Sequence, residues 1–289
     1  MFRWQVEDYL TTFYLIMRAK LKNWKLAGRL SAKKFSYGKN ARQYLLLFNS
    51  QSEKRRNNLI FFIHGGGWNK GNPGLFKFAA DYFTKLGFTT FMPAYRLVPD
   101  FQFPSQEIDI FKALQKTMEI SEELDLSKNI IIAGHSAGAH LGALLLLNQN
   151  MQREYQINSE LLSGFLSISG PLDLSRPCQT KRAEKLLSGF VPTPKKRKNA
   201  NPINYIHTDL SVPVLCLHGA KDPLVPKEHS IEFTEEIEAN AHAEAKLKIL
   251  EQRHHSDLAK LFFEEGAEEQ AVREWLLTVD DTKQNTSSC

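Results

Sequence analysis

Cysteine is scarce in this chain of 289 residues: Cys178, Cys216 and Cys289 are widely separated. Three scattered thiols cannot staple a small disulfide-rich fold, so stability has to come from an apolar core. This usage fits a reducing compartment, and the expected location is the cytoplasm. Long apolar runs are also missing. The stretch from Tyr9 to Met17 is broken by Thr11 and Thr12 and is too short to span a bilayer. Glu7 and Asp8 interrupt the basic region a secretory leader needs, so none is expected. There is no H-E-x-x-H spacing for zinc and no G-K-[ST] ending for a phosphate loop, and no segment repeats. These absences argue against a phosphate-cradling loop and a zinc site of that spacing.

What is present is a large apolar fraction, 42%, enough for one α/β domain with a substantial core. Short β-rich runs recur near residues 44–48, 59–63, 88–92, 129–133, 163–168, 213–218 and 245–250, separated by helical patterns. That rhythm predicts a mainly parallel central sheet flanked by helices.

The most informative motif is Gly134-His135-Ser136-Ala137-Gly138, placed between the apolar run Asn129 to Ala133 and the apolar run Ala139 to Leu147. A strand, a tight turn and a helix are the context in which G-x-S-x-G lifts a serine hydroxyl above a sheet edge. The glycines leave room for the turn, and the following helix N-terminus offers N–H groups to an oxyanion. Upstream, the strand pattern Asn58 to Ile63 runs into His64-Gly65-Gly66-Gly67-Trp68, whose glycines leave backbone N–H groups unshielded. Downstream, Val212 to Leu217 ends in His218-Gly219-Ala220-Lys221-Asp222-Pro223, which sets an acid just past a strand end. The final strand pattern, Ala245 to Leu250, is followed by His254-His255-Ser256-Asp257-Leu258, and one of these histidines is the expected base. A metal site on His254, His255 and Asp257 is disfavoured, because adjacent side chains do not converge.

Together these residues resemble the α/β-hydrolase superfamily: its hormone-sensitive-lipase-like carboxylesterases and the related kynurenine formamidases (arylformamidases). The likeness rests on the H-G-G-G-W stretch, Tyr95-Arg96-Leu97-Val98-Pro99, Phe103-Pro104 with Asp109, the motif from Gly134 through His140, and His218 to Asp222. It runs from about Leu59 to about Leu277. The resemblance implies an α/β-hydrolase fold, with Ser136 as nucleophile, Asp222 as orienting acid and N–H groups of Gly66, Gly67 and Ala137 as oxyanion hole. Relatives often show His-x-x-Leu or His-x-Asp-Leu at the base, a pattern that starts at His255 here and favours it over His254. Where the lipase-like group usually carries Asp before Tyr-Arg-Leu, this chain has Ala94. Arg96 is then expected to pair with Asp109 as a structural bridge.

Residues 1–42 hold ten Lys or Arg and two acids, a net +8, against +5 for the whole chain. Within them Val6, Tyr9, Leu10, Phe13, Met17, Leu21 and Trp24 recur at helical spacing. The expectation is a lid helix packed over the hydrolase core, with its apolar face forming part of the acyl pocket. The alternative is a basic amphipathic helix on an anionic membrane, a peripheral contact through residues 1–30. Nucleic acid is not expected as a partner, because no recognition module accompanies the charge. Residues 43–279 form the predicted catalytic domain. Residues 171–205 are its cap insertion, with Lys195-Lys196-Arg197-Lys198 in a solvated loop, and 280–289 a disordered tail. The predicted activity is hydrolysis of short-to-medium acyl esters through an acyl-enzyme, without metal or organic cofactor. The alternatives are arylformamidase action on a formamide substrate, N-formylkynurenine, and a non-catalytic ligand binder on the same fold.

Overall fold

The computed structural model describes residues 2–26 and 28–286. Its strands are β1 (Lys33–Ser36), β2 (Tyr44–Phe48), β3 (Asn58–Ile63), β4 (Thr90–Pro93), β5 (Asn129–His135), β6 (Leu162–Ile168), β7 (Val214–Gly219) and β8 (Ala245–Leu250). Its helices are α1 (Phe2–Leu26), α2 (Lys77–Lys85), α3 (Ser105–Glu123), α4 (Ala137–Leu147), α5 (Gln149–Glu154), α6 (Lys181–Phe190), α7 (Pro194–Asn199), α8 (Glu228–Asn240) and α9 (Ala267–Thr286).

The strands form one sheet in the order β1-β2-β4-β3-β5-β6-β7-β8. β2 runs antiparallel to β1 and β4, and the remaining neighbours are parallel. This is the α/β-hydrolase arrangement, as expected. Parallel strands joined by helical crossovers are covered on both faces, which is why β3 and β6 are buried at every position. Alternation sends Phe61, Ile63, Ile130 and Ile132 into one apolar layer, with Ile110 and Leu114 of α3 and Leu141 and Leu144 of α4. The intervening Ile60, Phe62, Ile131 and Ala133 enter the other, with Phe78 and Phe83 of α2 and Trp275 and Leu276 of α9. α4 is buried along its whole length, so its sequence is apolar all round rather than striped.

Three expectations need correction. An eighth strand, β1, joins the sheet edge without any apolar run, because Lys33-Lys34-Phe35-Ser36 is a polar edge strand with mostly exposed side chains. The predicted disordered tail is helical as far as Thr286, because Asp280 is buried and its Oδ1 accepts the N–H groups of Asn57 and Asn58 and the Asn58 amide, each at 2.9 Å. Residues 287–289, Cys289 among them, lie outside the described residues.

The third correction concerns α1. It packs on α2 and on the turn Asp257–Phe262 through Leu15, Lys22 and Leu26, with Lys22 bonded to the Phe262 carbonyl and paired with Asp81. The face expected to be buried is turned outward instead. Val6, Leu10, Phe13, Met17, Leu21 and Trp24 are all exposed, while the side chain of Tyr9 lies outside the described ones. Periodicity located the apolar stripe correctly but could not say which side of the helix the body occupies.

Candidate active site

Every predicted chemical group sits at the C-terminal ends of the parallel strands. β5 delivers Ser136, whose backbone is forced to φ 54° and ψ −122°, a left-handed conformation that costs a serine of order 1 kcal/mol or more. The surroundings hold it there. The Ser136 N–H donates to the Ile168 carbonyl at 2.8 Å, and α4 begins at the next residue. A side chain at Gly134 would strike the backbone of Gly138 and Ala139 at 2.5–2.6 Å, and one at Gly138 would collide with the Ile63 carbonyl. Both glycines are therefore needed sterically, not for a positive φ.

Ser136 Oγ lies 2.8 Å from His255 Nε2, and His255 Nδ1 lies 2.7 Å from Asp222 Oδ2. All three are almost wholly buried. Asp222 Oδ1 accepts the N–H groups of Leu224 at 2.9 Å and Val225 at 2.8 Å. Burial alone would raise the Asp222 carboxyl. The adjacent His255 and the hydrogen bonds from His218 and His255 outweigh it and hold the group well below the ordinary carboxylate range. As a carboxylate, Asp222 accepts a hydrogen bond from His255 Nδ1–H, which fixes the tautomer and leaves Nε2 to accept from the Ser136 hydroxyl.

His254 faces elsewhere. Its ring Nδ1 and its backbone N–H both meet Asp257 Oδ2, at 2.9 and 2.8 Å, and its Nε2 lies 3.2 Å from Glu7. Sequence reasoning gave no role to His218. It is fully buried: Nε2–H donates to the Val225 carbonyl at 2.8 Å, and Nδ1 accepts from the Ser230 hydroxyl at 2.7 Å. It thus braces the turn that carries Asp222. His218 belongs to the motif His218 to Asp222 that carries the family likeness, but the motif by itself names no contact for its ring.

Of the glycines after β3, Gly66 has φ 131° and Gly67 φ 59°. The Gly66 carbonyl accepts the Asn69 and Lys70 N–H groups, closing a turn, and Gly67 lies beside Ser136 on the wall of a cleft. Ala137 is the first residue of α4, where the N–H has no acceptor within its own helix. Trp68 stacks on Phe190 of α6 at 4.3 Å between ring centres, which ties the glycine loop to the insertion.

The cleft is open to solvent at its mouth and mainly apolar. Much of its wall comes from the 171–205 insertion, including Pro171, Leu174, Cys178, Leu186 and Leu187. Leu224, Val225 and His229 face them. His229 is a second residue the sequence did not flag. Its Nδ1 accepts the Asp173 N–H at 3.2 Å, and burial lowers its pKa to about 4, so it is neutral with its proton on Nε2. Burial likewise pushes the Cys178 thiol up to about 11. Among the described residues, none from 1–42 lines this cleft, so the N-terminal helix does not form the acyl pocket as expected.

Arg96 and Asp109 pair as anticipated. Arg96 Nε and Nη2 donate to the carboxylate at 2.8–3.0 Å, and the Arg96 N–H and the Gln43 amide add bonds at 2.8 Å each. Among the described residues, no group of three or more His, Cys, Asp or Glu is placed to hold a metal ion.

Residues 45–237 match the BD-FAE family. The chain belongs to that family. The matched stretch includes Ser136 and Asp222 and stops short of His255. Esterase LipQ of Mycobacterium tuberculosis is 27% identical over 219 residues, covering 71% of this chain and 52% of its own length. This BD-FAE chain spans about half the length of LipQ and of the related LipC and LipM. Among solved structures, esterase B from Lactobacillus Rhamnosis superposes over 99% of this chain and 98% of its own, with TM-score 0.76 and 18% identity. The apo form of Thermogutta terrifontis esterase 2 covers 85% and 92%, with TM-score 0.68 and 25% identity.

Proposed function

We propose that this protein is a serine carboxylesterase acting on short-to-medium acyl esters through an acyl-enzyme. The observation that carries the reading is the unbroken hydrogen-bond chain Ser136–His255–Asp222 at the floor of an apolar cleft. Ser136 attacks the ester carbonyl while His255 Nε2 takes its proton, then returns that proton to the departing alcohol. Asp222 holds the imidazole tautomer and stabilises the imidazolium. The N–H groups of Gly66, Gly67 and Ala137 receive the charge on the tetrahedral oxygen, with the α4 dipole behind Ala137. Water, deprotonated by His255, then releases the acid. The apolar wall of the cleft favours an acyl chain over a charged one. LipQ and LipC are esterases and Thermogutta terrifontis esterase 2 is phosphonylated by sarin, and both likenesses support the reaction class.

A fluorophosphonate probe tests the nucleophile. Labelling should occur at Ser136 and vanish in Ser136→Ala, and an unlabelled wild-type protein would turn the reading toward a ligand binder. A panel of p-nitrophenyl esters of graded length, run beside N-formylkynurenine, tests the substrate class. The ester reading expects higher kcat/KM on the esters, and a preference for the formamide would replace it with arylformamidase activity.

A further inference from the structure

α1 is amphipathic in the reverse sense to a helix on a protein surface. Its body-facing side is Leu15, Lys22 and Leu26, the last two within reach of Asp81, the Phe262 carbonyl and Lys77. The opposite side is a continuous apolar stripe in which Leu10 and Phe13 are each 61% and Trp24 is 74% exposed. From Val6 to Trp24 the stripe runs about 27 Å at 1.5 Å per residue, on one straight, convex face. Isolated exposed hydrophobics need no explanation, but a stripe of this length marks an interaction surface.

Charge decides what the surface meets. Lys20 and Lys25 stand exposed along the helix, and Arg29, Lys33 and Lys34 are exposed just beyond it. Residues 1–42 carry +8, so the rest of the chain carries −3. Two copies meeting through α1 would bring like charges together. A peptide partner would find a convex ridge, not a groove. A bilayer with anionic headgroups accepts both halves of the pattern, the apolar ridge at the acyl boundary and the lysines among the phosphates. Tyr14 and Trp24, both exposed, are residue types that settle at that boundary. No helix among the described residues is long and apolar enough to cross a membrane, so the contact is in-plane.

We propose that α1 is an in-plane anchor, laying Val6, Leu10, Phe13, Met17, Leu21 and Trp24 into the interface of an anionic phospholipid bilayer. The other side of the anchor is fastened next to the chemistry. Lys22 bonds the Phe262 carbonyl, Arg18 pairs with Glu264, and Glu7 meets His254, the residue before His255. The enzyme would thus sit on lipid with its His255 loop clamped to the anchoring helix.

The test is sedimentation of the full chain with vesicles of phosphatidylcholine alone, or with about 30% phosphatidylserine. The protein should pellet with the phosphatidylserine vesicles, less with phosphatidylcholine, and less again in high salt. The triple variant Leu10→Glu, Phe13→Glu, Leu21→Glu changes only exposed positions. It should lose at least about tenfold in vesicle affinity while hydrolysing a soluble ester at the wild-type rate. Wild-type protein left in the supernatant with phosphatidylserine vesicles would overturn the proposal. So would a triple variant that binds as well as wild type, or a wild-type dimer that the variant dissolves without any vesicle binding.

Discussion

Two neighbouring histidines are set to different tasks by what reaches each imidazole Nδ1. For His255 it is Asp222, brought from 33 residues away by the end of β7, and this points Nε2 at Ser136. For His254 it is Asp257, three residues on, which also takes the His254 backbone N–H and so turns the ring from the cleft. His255→Ala should therefore lower kcat by about 10⁴-fold or more, the scale of losing the general base. His254→Ala should cost less than about tenfold, because it removes only side-chain contacts with Asp257 and Glu7, away from the reacting atoms. Steady-state rates on one p-nitrophenyl ester rank the two, and the opposite ranking would reassign the base. At this scale the sequence was most informative where sterics leave one residue type, as at Gly134 and Gly138. It was blind to His218 and His229, whose positions depend on contacts with Val225, Ser230 and Asp173 that no local pattern announces.

Elements carry the next level of selection, and Glu107 shows how. In the first turn of α3 it reads as an ordinary acidic residue at a helix start, yet Asn148, at the end of α4, covers it and donates to Oε1 at 2.9 Å. Burial outweighs that bond and raises the carboxyl from its ordinary 4.5 to about 7. Between those values the folded protein keeps a proton that the unfolded chain has released. Stability therefore falls as pH rises through this window, and the loss is complete above pH 7. Glu107→Gln removes the titration and keeps the acceptor for Asn148. It should stabilise the protein by about 2 kcal/mol at pH 8 and little at pH 4.5, read from urea denaturation at both values. A difference that does not change with pH would show that Glu107 is not the titrating group. Seven of the strands could be anticipated because they are apolar throughout or, like β8, alternate apolar with polar residues, whereas β1 at the edge keeps its pairing through backbone bonds that any sequence can make.

For the whole molecule, the decisive contacts join segments far apart in the chain. Asp280 on α9 accepts three hydrogen bonds from Asn57 and Asn58 at the head of β3 and lies 3.8 Å from Arg56. Asp280→Ala strands those donors and should cost about 3 kcal/mol, seen as a lower Tm, with KM for esters unchanged. Ending the chain at residue 279 should do the same, and a Tm equal to wild type in both would show the contact to be idle. Composition suggested a free tail there because the partner of Asp280 lies more than two hundred residues upstream, outside the reach of any local reading. The same long reach governs α1, whose stripe was visible but whose orientation was set by α2 and the turn after His255. In the proposed mechanism Ser136, Asp222 and His255 arrive on the ends of β5, β7 and β8, so a growing chain would hold no activated serine until its last strand had paired. Reactivity toward a fluorophosphonate would therefore count molecules that have finished folding, and a ribosome-bound chain lacking β8 would pass through the probe unmarked.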